Sequence, residues 1–89
     1  MKAFITVIGK DRIGIIAEIA VALADVRINI LDINQTVMDG TFTMIMMVDI
    51  SQSDVPFATL SATLDGVGQK LGLSVKIQHE DIFNSMHRI

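Results

Sequence analysis

The apolar positions of this chain change spacing from two to three or four and back again, and each change marks a structural element. Met1 to Ile8 alternates, with Ala3, Ile5 and Val7 on one face and Phe4, Thr6 and Ile8 on the other. Both faces are largely apolar, which predicts a central strand. Gly9 to Gly14 predicts a turn. Asp11 is placed to cap the orphan amides two or three positions on, starting a helix near Arg12 or Ile13. Ile16, Ile19, Ala20, Leu23 and Val26 then fall on one side at helical spacing, with Glu18 and Asp25 on the other. Gly14 lowers helix propensity here, and close approach of another backbone or of a ligand is a reason for glycine.

Ile28 to Met38 and Thr41 to Ile50 predict a hairpin, because Asp39-Gly40 is the preferred pair for a two-residue turn whose central positions both need positive φ. That turn fixes the register, and the register sorts the faces. Leu31, Ile33, Gln35 and Val37 share a face with Phe42, Met44, Met46 and Val48, which predicts core. Asp32, Asn34, Thr36 and Met38 lie beside Thr41, Thr43, Ile45 and Met47 on a mixed face, wet or in an interface. The methionines among them read as adaptable core filling.

After the polar Ser51 to Val55, Asp54 is a candidate cap for a second helix with Pro56 at its first or second position. Phe57, Leu60, Leu64, Val67 and Leu71 continue at helical spacing. Gly66 and Gly68 weaken the last turns, and Gly72 is a natural stop. Leu73 to Glu80 alternates as a half-buried strand near a sheet edge, with Leu73, Val75, Ile77 and His79 on one side. Asp81 to Ile89 carries Ile82, Phe83, Met86 and Ile89 at a spacing that permits one or two helical turns docked on a surface, possible on a second subunit too.

The order strand, helix, strand, strand, helix, strand, with right-handed crossovers, leaves the first and third strands central. It predicts an α+β, ferredoxin-like βαββαβ two-layer sandwich with antiparallel sheet order 4-1-3-2 and two helices on one face. Residues 1–89 form a single domain, with 81–89 as a C-terminal extension.

Eighty-nine residues bury only about two-thirds of the unfolded chain's surface, so a partner subunit would add needed margin. No apolar run approaches a membrane span and the first residues lack a signal-peptide core, so no membrane or export is expected. Cysteine is absent, which removes disulfides and thiolate metal sites and fits a cytoplasmic protein. Seven Lys and Arg against ten Asp and Glu, spread along the chain, argue against nucleic acid as a partner.

The turn at Lys10-Asp11-Arg12-Ile13-Gly14 carries the candidate chemistry. A helix opening after it points free backbone N–H groups at the loop, and with Arg12 beside them they suit a small anion such as a carboxylate. His79 and His87 lack a spacing that would hold a metal and are expected to be solvated. Neither a metal nor a cofactor is expected.

Phe4-Ile5-Thr6-Val7-Ile8-Gly9, Lys10-Asp11-Arg12-Ile13-Gly14-Ile15-Ile16-Ala17-Glu18-Ile19, Asn29-Ile30-Leu31-Asp32-Ile33-Asn34-Gln35-Thr36 and Gly40-Thr41-Phe42-Thr43-Met44 together resemble the ACT domain in its small stand-alone bacterial form. The terminal Met86-His87-Arg88-Ile89 is similar to the ending of the stand-alone proteins. The resemblance implies an amino-acid-binding regulatory domain: a homodimer that takes a small effector near the first strand–helix turn and the start of the second strand, often at a subunit boundary. Carried over residue by residue, it points to Asp11, Arg12, Ile13, Gly14, Asn29 and Ile30. Most such domains regulate an enzyme in the same polypeptide, and this chain holds none, so a separate protein target is implied.

Each residue also has a plain reading. Arg12 is either a fork for a carboxylate or a solvated loop arginine; Asp11 is a cap or a ligand to an amino group. Gly14 is a packing glycine or a backbone site for the effector. Asn29 offers an amide to an amino acid backbone or simply starts a strand. Catalysis is not expected, because no Ser-His-Asp arrangement is supported by spacing. Its nearest form, Arg12 as an oxyanion clamp with Asn29 or Asn34 holding a water, is similar to small acyl-phosphate hydrolases of this fold. Their phosphate loop is richer in glycine and their arginine sits differently. Two readings stay open: an effector-binding regulatory module, and a ligand-free dimerisation adaptor with a dry, closed loop crevice.

Overall fold

The computed structural model describes residues 1–86, a slab of 35 × 35 × 20 Å. Its elements are β1 (Lys2–Lys10), α1 (Ile15–Asp25), β2 (Asn29–Met38), β3 (Thr41–Asp49), α2 (Phe57–Leu71), β4 (Leu73–His79) and α3 (Glu80–Met86). The sheet order is β2-β3-β1-β4, antiparallel at every step. This is the ferredoxin-like sandwich the element order predicts. Among the described residues no helix is long and apolar enough to cross a membrane.

The hairpin forms as its turn residues dictate. Asp39 and Gly40 both take positive φ, 52° and 78°, and Met38 pairs with Thr41, Val37 with Phe42 and Gln35 with Met44. The register then breaks between Ile30 and Asp32. Leu31 is the extra residue of a bulge, and Ile30 takes the place opposite Val48 that simple alternation assigns to Leu31. Leu31 is exposed and Ile30 is half-buried.

The core lies between the sheet and α1 and α2. Ala3, Ile5 and Val7 of β1, Met44, Met46 and Val48 of β3, Val75 of β4, Ile19 and Leu23 of α1, and Leu60 and Leu64 of α2 are all buried. The edge strand β2 is different, because the helices cover little of it. Val37 and Ile33 face the helix side yet are 54% and 39% exposed. The face expected to be core is therefore core only along β3.

Both expected side-chain caps are absent. Gly14, at φ 91°, is the residue preceding α1, and no side chain caps that helix. The Asp11 amide instead donates to the Gly40 carbonyl at 2.9 Å, which ties the first loop to the hairpin turn and holds Asp11 back from the helix. The later start makes Ile15 the buried first-turn residue and leaves Ile16 36% exposed. Pro56 precedes α2, also without a side-chain cap; the Asp54 amide donates to the Val26 carbonyl at 3.0 Å. Gly72 closes α2 in the left-handed region, as its sequence position predicts.

Two ring stacks tie down the C-terminal part. His79 is half-buried rather than simply solvated: it stacks on Phe57 with ring centroids 4.0 Å apart. Phe83 of α3 stacks on Phe4 at 4.3 Å, on the sheet face that α1 and α2 leave open. His87, Arg88 and Ile89 lie outside the described residues.

The N-terminal end is fastened by charge. The N-terminal ammonium lies 3.5 Å from Asp49 and donates to the Ser51 hydroxyl, while the Ser51 amide donates to Asp49 at 2.9 Å. Hydrogen bonds from Ser51, with the nearby ammonium, hold the Asp49 carboxyl below its ordinary value. A lowered folded-state value means that this contribution to stability is present at neutral pH and is lost as the pH falls below about 3.8. Asp49→Asn should therefore unfold at a slightly lower temperature at pH 7 and show a shallower loss of Tm between pH 5 and 3, read from melting curves across that range.

Candidate functional site

The β1–α1 loop, the first turn of α1 and the hairpin end of the sheet enclose an open cavity of about 400 Å3. Asp11, Arg12, Gly14, Ile15, Ile16 and Ala17 line it from the loop and helix; Gln35, Val37 and Phe42 line it from the sheet. The pairing of Lys10 with Thr41 and the hydrogen bond from Asp11 to Gly40 bring these two parts of the chain together.

The polar character of the cavity comes from the backbone and Arg12. Glu18 is the first residue of α1 whose amide meets a carbonyl one turn back, that of Gly14 at 2.9 Å. The amides of Ile15, Ile16 and Ala17 precede it, uncapped by any side chain, and they carry the positive end of the helix dipole. Arg12 donates one guanidinium N–H to the Leu71 carbonyl at 3.2 Å, at the negative end of α2. That bond orients the side chain and leaves the other guanidinium donors for a second acceptor.

The six residues marked in the sequence do not all meet. Asp11, Arg12 and Gly14 line the cavity, whereas Ile13 projects away and is 98% exposed. Asn29 and Ile30 lie at the other end of the sheet. β1 and β2 are both antiparallel to β3 and so run in the same direction; Asn29 is level with Asp49 and Lys2, and Met38 with Thr41 and Lys10. At about 3.3 Å per residue, the length of a strand, roughly 27 Å, separates Asn29 from the loop in one subunit. Gln35, Val37 and Phe42 are the residues that sequence reasoning missed. Their shared face follows from the hairpin register, but its proximity to the loop rests on the fold. Among the described residues no group of three or more histidine or carboxylate side chains is placed to hold a metal.

The model of the ACT domain family matches residues 2–78. The chain belongs to the ACT-domain family. A UPF0237 protein of Clostridium acetobutylicum is 58% identical over 89 residues, covering all of both chains. A second, from Methanocaldococcus jannaschii, is 54% identical over 88 residues and covers 99% of this chain and 98% of its own. Relatives thus come from archaea as well as bacteria, so the family is wider than the bacterial form suggested by the motifs. Among solved structures, an ACT domain protein from Streptococcus pneumoniae superposes with a TM-score of 0.81 at 42% identity, covering 93% of each chain. The regulatory subunit of aspartate kinase from Thermus thermophilus superposes at 0.67 with 25% identity, over 86% of this chain and 50% of that one. ACT domains are non-catalytic regulatory modules, and this chain is a small one.

Proposed function

We propose that this ACT domain binds a small carboxylate, most simply an amino acid, at a boundary between two copies of itself, and acts on a separate protein. The observation that carries the reading is the state of β2. It is a ten-residue edge strand whose residues are all exposed except the half-buried Ile30. Bare edges of that length invite pairing with another strand.

A two-fold pairing of β2 with its copy reunites the divided site. Nine positions of β2 pair with β3, with Asn34 in the middle, and they alternate between the two sides of the sheet. An axis through Asn34 sets Ile33 opposite Gln35, Asp32 opposite Thr36, Ile30 opposite Val37 and Asn29 opposite Met38, every pair on one side of the sheet. Full overlap is thus compatible with the pleat. It carries the partner's Asn29 and Ile30 to the hairpin end, beside the cavity lined by Asp11, Arg12, Gly14 and Val37. In this arrangement the free amides of α1 and the Arg12 fork take the carboxylate, and the partner's Ile30, on the helix-facing side, borders it from across the boundary, with the partner's Asn29 at the same end on the other face of the sheet. Ligand would then tighten the dimer, because it binds two-chain sites in preference to single chains. The similar aspartate kinase chain is a regulatory subunit, which supports action on another polypeptide.

The Arg12 bond to Leu71 favours a second reading, in which Arg12 only joins the loop to α2 and the protein is a ligand-free dimerisation adaptor. Melting curves with the common amino acids and small carboxylates separate the two. A bound effector at 100 times its Kd raises stability by about 2.7 kcal/mol, a shift of several degrees. Arg12→Ala should reduce that shift while the dimer persists. Flat curves for the unsubstituted dimer across the whole set would favour the adaptor.

A further inference from the structure

Gln35 interrupts an apolar row. On the helix-facing side β2 carries Ile30, Ile33, Gln35 and Val37, and directly across the ladder from Gln35 stands the fully buried Met44. The position is exposed, so packing neither requires nor excludes an amide there. Its side chain makes no hydrogen bond among the described residues. It does line the cavity, with Val37 and Phe42 on the sheet and Ile16 on the helix.

We infer that Gln35 is the specificity-determining side chain of this site, and that the ligand is an α-amino acid with an uncharged aliphatic side chain. The inference deepens the effector-binding reading above and rests on it. With the carboxylate at Arg12 and the α1 amides, the ligand's substituents face the remaining walls. Ile16, Val37 and Phe42 offer no hydrogen bond, so a charged substituent held there loses water without a replacement partner. An aliphatic one gains by burial. Gln35 Oε1 is then the acceptor for the ligand's ammonium group, a hydrogen bond to a charged donor and stronger than a neutral one. Asp11 lines the loop side of the same cavity and adds negative charge, consistent with an ammonium between them.

The test is calorimetric titration of the dimer with leucine, valine, glutamate, lysine and the 2-oxo acid corresponding to leucine, on the unsubstituted protein and on Gln35→Leu. Gln35 is exposed, so the variant should keep its fold, dimer and unliganded Tm. The expected result is that leucine or valine binds the unsubstituted protein at least tenfold more tightly than glutamate, lysine or the 2-oxo acid. Gln35→Leu should weaken the amino acid about tenfold, the loss expected for one charge-assisted hydrogen bond, and leave the 2-oxo acid unchanged. Tighter binding of glutamate or lysine, or an unaltered amino acid affinity in Gln35→Leu, would overturn the assignment while the effector site stood. No binding by any of the five would remove the effector site itself, and this inference with it.

Discussion

Val37→Asp is expected to convert the proposed dimer into monomers at micromolar protein while leaving each chain folded. Val37 is 54% exposed on the helix-facing side of β2, so a carboxylate there meets water in the single chain and costs little. In the two-fold arrangement the same position lies opposite the partner's Ile30, and both copies would bring a charge into an apolar seam. Leaving such charges desolvated and unpaired costs on the order of 3 kcal/mol or more, a hundredfold or greater loss in dimer affinity. Sedimentation velocity against concentration reads this directly, with far-UV circular dichroism as the check on folding. Val21→Asp is the matched control: Val21 is 60% exposed on α1, away from β2, and its variant should remain dimeric. A Val37→Asp protein as dimeric as its parent would show that β2 is not the boundary. The effector-induced melting shift should vanish with the dimer, because Val37 also walls the cavity.

How far the sequence disclosed this molecule depends on how local each cause was. The hairpin was fully legible, since Asp39-Gly40 permits one turn type and the turn dictates the pairing. The bulge at Leu31 was not, because a bulge answers to strand twist and its neighbours rather than to a residue pattern. The start of α1 was misplaced for a related reason. Capping by Asp11 is a local preference, and a hydrogen bond to Gly40, 29 positions away in the chain, overrides it.

The candidate site divides along the same line. Its loop half, Asp11, Arg12 and Gly14, is a contiguous motif and stands out in the sequence. The sheet half, Gln35, Val37 and Phe42, becomes part of the site only when the hairpin end folds against the loop. Asn29 and Ile30 carry the sharpest lesson. Strands that run in the same direction begin at the same end of a sheet, so the start of β2 cannot reach the end of β1 within one chain. A family motif that joins them fits the proposed two-subunit site.

Gly68→Ala should destabilise the fold despite adding a better helix former. In an exposed helix the exchange gains about 1 kcal/mol, but a Cβ on Gly68 would lie 2.6 Å from the Leu73 carbonyl oxygen and 3.2 Å from a Val75 methyl. The Leu73 carbonyl cannot yield easily, because β4 is held by its ladder to β1, and on the other side the Leu73 side chain fills the space over Gly9, where a Cβ would lie 2.3 Å from the Leu73 Cδ2. One leucine is therefore held between two glycines, by its backbone on one side and its side chain on the other. Overpacking of this kind costs roughly 1–3 kcal/mol, more than the propensity gain at its upper end. The net loss should lower Tm by several degrees. The two contacts differ in what relieves them, and a double-mutant cycle with Leu73→Ala reads the difference. Trimming Leu73 removes the atom that meets a Gly9→Ala methyl, so those two changes should couple favourably. It leaves the carbonyl in place, so Gly68→Ala and Leu73→Ala should add. Coupling in the second pair equal to that in the first would mean that α2 slides along β4, and that the helix is not fixed by its close approach at Gly68.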